Sequence, residues 1–313
     1  AGHLGDASTI LDVGCGIGIL TTFYAKRCPA STIVGIDRSP VSLDLARQRA
    51  QELGLTNVRF ECRDLDQQDL AGCFDRIIAT HTLLQAEQEP GLPSHDWSSF
   101  ARSADAQAQQ GFEQRTGLGV RLDRLYAGLS SCGRMVVFEK TRQLARRIPF
   151  QRALAARGLR LLAPPEPVRY RSVEEVTDDG PLYVMGTVPG EQALSWDESP
   201  EADGMPPLNL ESLRSAQAQG DQPLYENHQT SAEQGWRSLS AKQVTAQVTS
   251  TEPDGRQLHV EWGRAGAFVY LYCANSFDQR QLVLVEPARA AMVETYFQEI
   301  TGSQPGGGKE VLR

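Results

Sequence analysis

A glycine-rich segment near the N-terminus carries the clearest chemical signal in this sequence. Asp12 is followed by Gly14, Gly16 and Gly18 at alternate positions, directly after the apolar run at 9–13. Glycines behind a strand let the backbone approach a ligand closely, and the N-terminus of the helix that follows offers free N–H groups. The segment therefore predicts a nucleotide-type binding loop between a strand and a helix.

The spacing of these glycines argues against a nicotinamide dinucleotide. The dinucleotide fingerprint is G-x-G-x-x-G, so counting from Gly14 its third glycine would stand at position 19. That position is Ile19, and the third glycine is Gly18. An oxidoreductase using such a dinucleotide is therefore disfavoured, and no pyrophosphate site is implied.

Two further acids follow later apolar runs. Asp37 ends the second run, and Asp64 follows the third. A carboxylate offers two acceptor oxygens to a ligand. Because open α/β sheets bind ligands at the carboxyl ends of their strands, these acids and Asp12 are expected at one ligand site.

These motifs resemble those of class I S-adenosylmethionine-dependent methyltransferases, over about residues 8–188. The run from Asp12 to Gly18 is similar to their D/E-x-G-x-G-x-G motif. The resemblance implies that Asp37 accepts hydrogen bonds from the ribose of S-adenosyl-L-methionine and that Asp64 lies near its adenine. The cofactor site implied by the resemblance consists of Asp12, Gly14, Cys15, Gly16, Gly18, Asp37, Arg38, Arg63, Asp64, Leu65 and Thr80.

The resemblance also implies an enzyme, a methyltransferase. The cofactor supplies the reactive carbon, so the protein positions the reactants and no strong acid or base is obligatory. Ala79-Thr80-His81-Thr82 stands where many enzymes acting on amide or adenine nitrogens carry N/D-P-P-Y, which disfavours those substrates. We expect a small molecule or a protein side chain as methyl acceptor; the alternative is a non-catalytic scaffold that keeps the fold.

The catalytic residues are not identified by the sequence, and His81 is a weak candidate. It follows the fourth apolar run, at the rim of the expected active site. An imidazole there could deprotonate a nucleophile, or it could simply pack beside the cofactor, which is the more common role.

Alternating apolar runs and helical patterns predict a doubly wound, mostly parallel, seven-stranded Rossmann-like α/β sheet over residues 1–188. Residues 189–207, rich in Pro, Gly and acids, are typical of a linker. A small α+β domain of unknown role, with an antiparallel meander, is expected over 208–302, and 303–313 is expected to be a flexible tail.

The insertion at 85–119 predicts a lid over the site. His95, Asp96 and Trp97 would then contact substrate or cofactor, since loops of this length are often functional. The alternative is an amphipathic helix that merely covers the sheet.

Net charge and composition narrow the class of partner. The net charge of −8 makes a nucleic-acid substrate unlikely. Basic residues are concentrated at 134–171, beside an acidic stretch at 172–213. The basic stretch could attract an acidic substrate, although charge runs are usually solvated.

The six cysteines form no C-x-x-C pair and the sequence has no H-E-x-x-H, so no metal is expected. Reduced thiols favour a cytoplasmic location, and there is neither a signal peptide nor an apolar run long enough for a membrane helix. The chain begins at Ala1, so we expect a trimmed N-terminus.

Overall fold

The computed structural model divides the chain into two compact units. Unit 1 comprises Ala1–Gly91 and Ala104–Asp197, and unit 2 comprises Leu92–Ser103 and Glu198–Arg313. The residues that the structure describes are 2–5, 7–84, 90–172, 175–188, 194–200, 203–215, 222–252, 255–302 and 310–312.

Unit 1 is built on a mixed, mostly parallel sheet. Its strands are β1 (Thr9–Val13), β2 (Thr32–Asp37), β3 (Val58–Cys62), β4 (Phe74–Thr80), β5 (Leu129–Phe138), β6 (Arg160–Leu161), β7 (Glu166–Ser172) and β8 (Glu175–Gly186). Eight strands lie in the order β3-β2-β1-β4-β5-β8-β6, with β7 paired to β8. β1 to β5 run parallel, and β8 is antiparallel to its neighbours. The expected fold class is confirmed.

The strand count differs from the expected seven because β7 and the first half of β8 form a hairpin. The residues around this hairpin are rich in proline and charge, with Pro164, Pro165 and Pro167 at its start. Within β7, Val168 and Tyr170 alternate with Arg169 and Arg171, but the prolines and charged residues around this short alternation weaken the strand signal.

The helices of unit 1 pack on this sheet and are α1 (Ile19–Arg27), α2 (Pro40–Glu52), α3 (Ala106–Thr116), α4 (Leu118–Ala127) and α5 (Leu144–Ala156). α2 begins as its sequence predicts: Ser39 Oγ accepts a hydrogen bond from the Ser42 N–H at 3.3 Å, and Pro40 is the first helical residue. After the helix ends, Gly54 adopts φ +64°. These signals place the start of α2 directly after the carboxyl end of β2.

Unit 2 contains the expected antiparallel meander. Its strands are β9 (Tyr225–Asn227), β10 (Lys242–Thr251), β11 (Gln257–Ala265), β12 (Phe268–Asn275), β13 (Arg280–Val285) and β14 (Glu310–Leu312), in the order β14-β10-β11-β12-β13-β9. Its helices are α6 (Leu210–Arg214), α7 (Ala232–Ser238) and α8 (Ala290–Gly302). β14 lies within the stretch expected to be a flexible tail; 303–309 and 313 lie outside the described residues.

The meander buries both of its faces. On one face, Val293 of α8 packs among valines and Leu271, and the half-buried Trp262 joins this cluster. On the other face, Tyr270 and Tyr272 pack with Ala232 of α7. Residues from both faces of the sheet therefore form cores within unit 2.

The segment at 92–103, which belongs to the insertion predicted as a lid, packs within unit 2. Its Trp97 ring stacks on His259 of β11, with ring centroids 3.8 Å apart. Arg102 forms a buried ion pair with Asp278, the turn residue before β13. Since these contacts lie within unit 2, Trp97 serves the core of that unit, and the segment interrupts unit 1 in sequence.

Candidate functional site

The carboxyl ends of the parallel strands meet at one edge of the unit 1 sheet. Val13 at the end of β1 is in register with Ile36 of β2 and Ala79 of β4, and Asp37 is in register with Cys62 of β3. The loops that follow β1 to β4 therefore lie side by side, at the edge where open α/β sheets bind ligands.

The loop after β1 is built on glycines in left-handed conformations. Gly14 has φ +66°, and a Cβ at this position would lie 2.1 Å from Cγ2 of Thr82. Gly18 has φ +76°, and a Cβ there would lie 2.8 Å from Cβ of Ala46 in α2. A glycine at 14 therefore permits the close approach of the loop after β4, and one at 18 permits the packing of α2.

Asp37 is held in one orientation at the end of β2. Its Oδ2 accepts a hydrogen bond from the Gly16 N–H at 2.9 Å, and its Oδ1 accepts one from the Ser39 N–H at 2.8 Å. Each carboxylate oxygen can accept a second bond, and the side chain lines a cavity. Two fixed acceptors side by side fit a pair of neighbouring hydroxyl groups.

Asp64 organises the loop after β3. Its Oδ1 accepts a hydrogen bond from the Asp66 N–H at 2.9 Å, which closes a tight turn. The backbone N–H of Arg63 donates to the Asp37 carbonyl at 2.9 Å, so the loops after β2 and β3 are joined. Both Arg63 and Asp64 line the cavity beside Asp37.

Asp12 lies behind the glycine loop rather than at its surface. It is buried, and its Oδ2 accepts a hydrogen bond from Thr21 Oγ1 of α1 at 2.6 Å. Burial raises the pKa of Asp12 to about 6, although the bond from Thr21 lowers it. Asp12 thus ties β1 to α1 beneath the loop.

The cavity at this edge has a volume of about 360 Å³, which is within the range typical of small-molecule sites. It is lined by Val13, Gly14, Ile36, Asp37, Arg38, Arg63, Asp64, Leu65, Asp66, His81, Thr82, Leu84 and Arg121. Acidic and basic side chains thus share a wall with apolar ones, an arrangement that can hold a ligand with separate polar and apolar parts.

The cavity brings together part of the cofactor site implied by the sequence. The lining includes Gly14, Asp37, Arg38, Arg63, Asp64 and Leu65. Other residues of that site belong to the loop and strand ends but not to the described lining, namely Asp12, Cys15, Gly16, Gly18 and Thr80. Among these, Cys15 is a half-buried thiol whose pKa burial raises to about 12, so it stays protonated.

His81 lines the cavity. It has a left-handed backbone with φ 53°, and its N–H donates to the Phe138 carbonyl at 2.8 Å. Its ring packs against the Phe138 ring with centroids 4.8 Å apart. A left-handed non-glycine residue is uncommon and concentrates at functional sites, so the backbone of His81 is a feature of the site in itself.

Sequence reasoning missed Glu139, which follows β5 directly. The residue is fully buried, and its carboxylate accepts backbone hydrogen bonds from the loop after β4. Burial raises the pKa of Glu139 to about 7 despite these bonds. The signal was present, because Glu139 is an acid at the carboxyl end of a parallel strand, as are Asp37 and Asp64.

Arg121 of α4 was also missed, and no local pattern distinguishes it. Its Nε and Nη2 donate to the two carboxylate oxygens of Asp66 at 2.7 and 2.8 Å, and its Nη1 donates to the Leu83 carbonyl at 2.9 Å. The hydrogen bonds from Arg121 hold the pKa of Asp66 below its usual value. Arg121 therefore joins the loops after β3 and β4 across the cavity wall.

Comparison with known proteins points to one family. Residues 4–104 match the model of a family described as "Methyltransferase domain". The chain is 40% identical over 73 residues to malonyl-[acyl-carrier protein] O-methyltransferase of Acetivibrio thermocellus, covering 23% of this chain and 25% of that protein. It is 36% identical over 88 residues to trans-aconitate 2-methyltransferase of Deinococcus radiodurans, covering 28% of this chain and 32% of that protein.

A third relative is tRNA (guanine-N(7)-)-methyltransferase of Rubrobacter xylanophilus, 42% identical over 57 residues, which are 18% of this chain and 26% of that protein. The chain carries a class I S-adenosylmethionine-dependent methyltransferase domain, and the family match lies over residues 4–104. The chain spans between about a quarter and a third of the length of these relatives, and their names give three different methyl acceptors.

Within the part of the chain that the structure describes, no group of three or more His, Cys, Asp or Glu residues could hold a metal ion. Over the same residues, no helix is both long and apolar enough to cross a bilayer.

Proposed function

We propose that this chain binds S-adenosylmethionine in the cavity of unit 1 and transfers its methyl group to a small molecule or a protein side chain. The observation that carries this proposal is the pair of oriented acids, Asp37 and Asp64, which face a left-handed glycine loop across one cavity. In the proposed complex, Asp37 holds the ribose hydroxyls, Asp64 lies near the adenine, and the backbone at Gly14 leaves room for the methionine portion.

The residues present fit this cofactor. A side chain at Gly14 would overlap Thr82, so the glycine keeps the cavity open where the two loops meet. Among the described residues, no hydrogen-bond partner lies near the buried hydroxyl of Thr82, which leaves it available to a polar ligand.

The proposed methyl transfer requires no strong acid or base from the protein. When bound, the cofactor supplies an electrophilic methyl group on a sulfonium. The chain binds the two ends of the cofactor, places the methyl group next to the acceptor and excludes water. Positioning of this kind lowers the reaction barrier. His81 at the rim is placed to take a proton from an acceptor that must lose one.

Binding is tested by calorimetry with S-adenosylmethionine, S-adenosylhomocysteine and NAD. We expect the first two to bind and NAD not to bind. Asp37→Asn keeps the size of the side chain but puts an amide donor where a ribose hydroxyl would donate, so affinity should fall roughly 10- to 100-fold. Asp44→Asn, at an exposed position on α2, is the matched control and should bind as the wild type does.

Transfer is tested by incubating the chain with methyl-labelled cofactor and cell extract. Label is expected in the small-molecule or protein fraction, because the net charge of −8 disfavours nucleic acid. Label confined to nucleic acid would contradict the proposed acceptor class. Tight cofactor binding without transfer into any fraction would assign the chain to the alternative, a non-catalytic scaffold.

A further inference from the structure

The loop after β4 is held by a buried carboxylate rather than by neighbouring backbone. Glu139 Oε1 accepts hydrogen bonds from the N–H groups of Thr82 at 2.8 Å and Leu83 at 2.7 Å, and Oε2 accepts one from Leu84 at 3.5 Å. Three consecutive backbone donors therefore converge on one side chain that is fully buried.

The same loop is fixed from its carbonyl side. Arg121 donates from Nη1 to the Leu83 carbonyl at 2.9 Å and forms a bidentate ion pair with Asp66. The Arg121 guanidinium and the Glu139 carboxyl group thus hold opposite polar groups of one short loop. The conformation of residues 82–84 is consequently set by Glu139 and Arg121 together.

This loop borders the end of the cavity opposite the two acids. β1 lies between β2 and β4 in the sheet, so the loop after β4 lies across Gly14 from Asp37. Thr82 and Leu84 line the cavity there, and Thr82 is the residue that a side chain at 14 would strike. If Asp37 and Asp64 hold the adenosine part of the cofactor, residues 82–84 face its amino-acid part.

We propose that Glu139 is a positioning residue for the amino-acid end of the cofactor, acting through the backbone of residues 82–84. The inference rests on the proposed function. It adds that one buried side chain, which touches no ligand itself, sets the wall formed by Thr82 and Leu84. The adenosine end, held by other elements, does not depend on it.

Two ligands that differ only at the relevant end provide the test. S-adenosylhomocysteine and 5′-methylthioadenosine share the adenosine and the sulfur, but only the first carries an amino acid. Glu139→Gln keeps the size of the side chain, retains one acceptor oxygen and turns an amide NH₂ toward the backbone donors. We expect the affinity for S-adenosylhomocysteine to fall about tenfold and that for 5′-methylthioadenosine to stay within about twofold.

Glu52→Gln, at an exposed position in the last turn of α2, is the control and should change neither affinity. Hydrogen exchange of the ligand-free protein gives a second readout. In Glu139→Gln the amides of 82–84 should lose protection, while those of β1 and β2 keep it.

Thr82→Val removes the buried hydroxyl of Thr82 and leaves Glu139 in place, so it provides a second variant if Glu139→Gln does not fold. It should weaken S-adenosylhomocysteine selectively as well. Equal losses for both ligands, or lost protection throughout unit 1, would show that Glu139 only stabilises the fold and would overturn the inference. Unchanged affinity for S-adenosylhomocysteine would overturn it too. A wild-type chain that binds neither ligand would overturn the proposed function and this inference together.

Discussion

At the scale of single residues, the glycines of the loop meet two different requirements, a left-handed backbone and space without a side chain. The sequence motif does not distinguish the two. Gly14 and Gly16 both have positive φ, at +66° and +51°. A Cβ at 14 would overlap Thr82, whereas no described atom lies within 4 Å of a Cβ at 16. Position 14 therefore requires glycine both for its left-handed backbone and because a side chain would not fit. Position 16 requires glycine only for its left-handed backbone.

The two glycines predict different effects of alanine. Gly16→Ala should lower the free energy of unfolding by about 1 kcal/mol, the strain of a left-handed alanine. Gly14→Ala should lower the free energy of unfolding by about 1–3 kcal/mol more, because its Cβ overlaps Thr82, and it should also lower the affinity for the cofactor. Urea unfolding and calorimetry measure both effects. Thr82→Ala in the Gly14→Ala background should restore part of the lost free energy of unfolding. Equal effects of Gly14→Ala and Gly16→Ala on that free energy would contradict the overlap.

The raised pKa of Asp12 predicts a pH-dependent stability. The folded-state pKa of about 6 lies above the ordinary value of 3.8, so the stabilising contribution is complete below 3.8 and is lost as pH rises through 6. This loss amounts to about 3 kcal/mol. Asp12→Asn does not titrate, so its free energy of unfolding should rise relative to wild type by up to that amount between about pH 4 and pH 7.

Urea unfolding across this pH range measures that difference. Asp44→Asn, at an exposed position, should show little pH dependence relative to wild type. A difference between Asp12→Asn and wild type that stays constant with pH would show that Asp12 is ionised in the folded protein throughout the range.

At the scale of elements, the segment 92–103 is a structural part of unit 2. Ser94 donates from its backbone N–H to the Ser276 carbonyl at 2.7 Å, Trp97 stacks on His259, and Arg102 pairs with Asp278. Arg280, also buried, lies over the Phe100 ring, with its guanidinium carbon 4.5 Å from the ring centroid. A segment fixed by these contacts has its place in the core of unit 2.

The buried Arg102–Asp278 pair predicts a large effect of removing one partner. Asp278→Ala leaves the buried charge of Arg102 without its main partner and should lower the stability of unit 2 by about 3–5 kcal/mol. Trp97, Trp236 and Trp262 lie in unit 2, so fluorescence-detected unfolding follows this transition. Glu294→Ala, at an exposed position on α8, is the control. A loss below about 1 kcal/mol would mean that the pair does not anchor the segment.

At the scale of the whole molecule, the two units are interleaved in sequence. The chain leaves unit 1 after Gly91, contributes residues 92–103 to unit 2, and returns at Ala104. Cutting the chain at one point between the units therefore cannot separate them without leaving a piece of unit 2 attached to unit 1. The sequence-based boundaries, which placed the only division at 189–207, did not anticipate this.

Because residues 92–103 belong to unit 2, isolating the methyltransferase domain should require replacing this segment. A chain ending at Asp197 that keeps residues 92–103 should bind a hydrophobic dye, because Trp97 loses its ring partners His259 and Trp236 of unit 2. Replacing 92–103 by a Gly/Ser segment of equal length should remove the dye binding and preserve affinity for S-adenosylmethionine. Equal dye binding by both chains would contradict the assignment of this segment to unit 2.

The predictable parts of the fold were those with strong local signals. The strand–glycine–helix order around Gly14, the capped start of α2 and the antiparallel meander of unit 2 all follow from short-range patterns of apolar residues, caps and turns. Glu139 and Arg121 were missed because their roles depend on backbone groups of a distant loop. The β7–β8 hairpin was missed because its short alternation, at Val168 and Tyr170, is surrounded by prolines and charged residues.

The sequence by itself determined the fold class and the likeness to a cofactor-binding family, because the glycine spacing and the acids at strand ends are local constraints on backbone and charge. Tertiary structure decided which of those residues border the cavity and which, like Asp12, lie behind it. It also decided that Glu139 holds the loop after β4 and that residues 92–103 belong to unit 2. These facts depend on contacts between residues far apart in the chain, which no local pattern encodes.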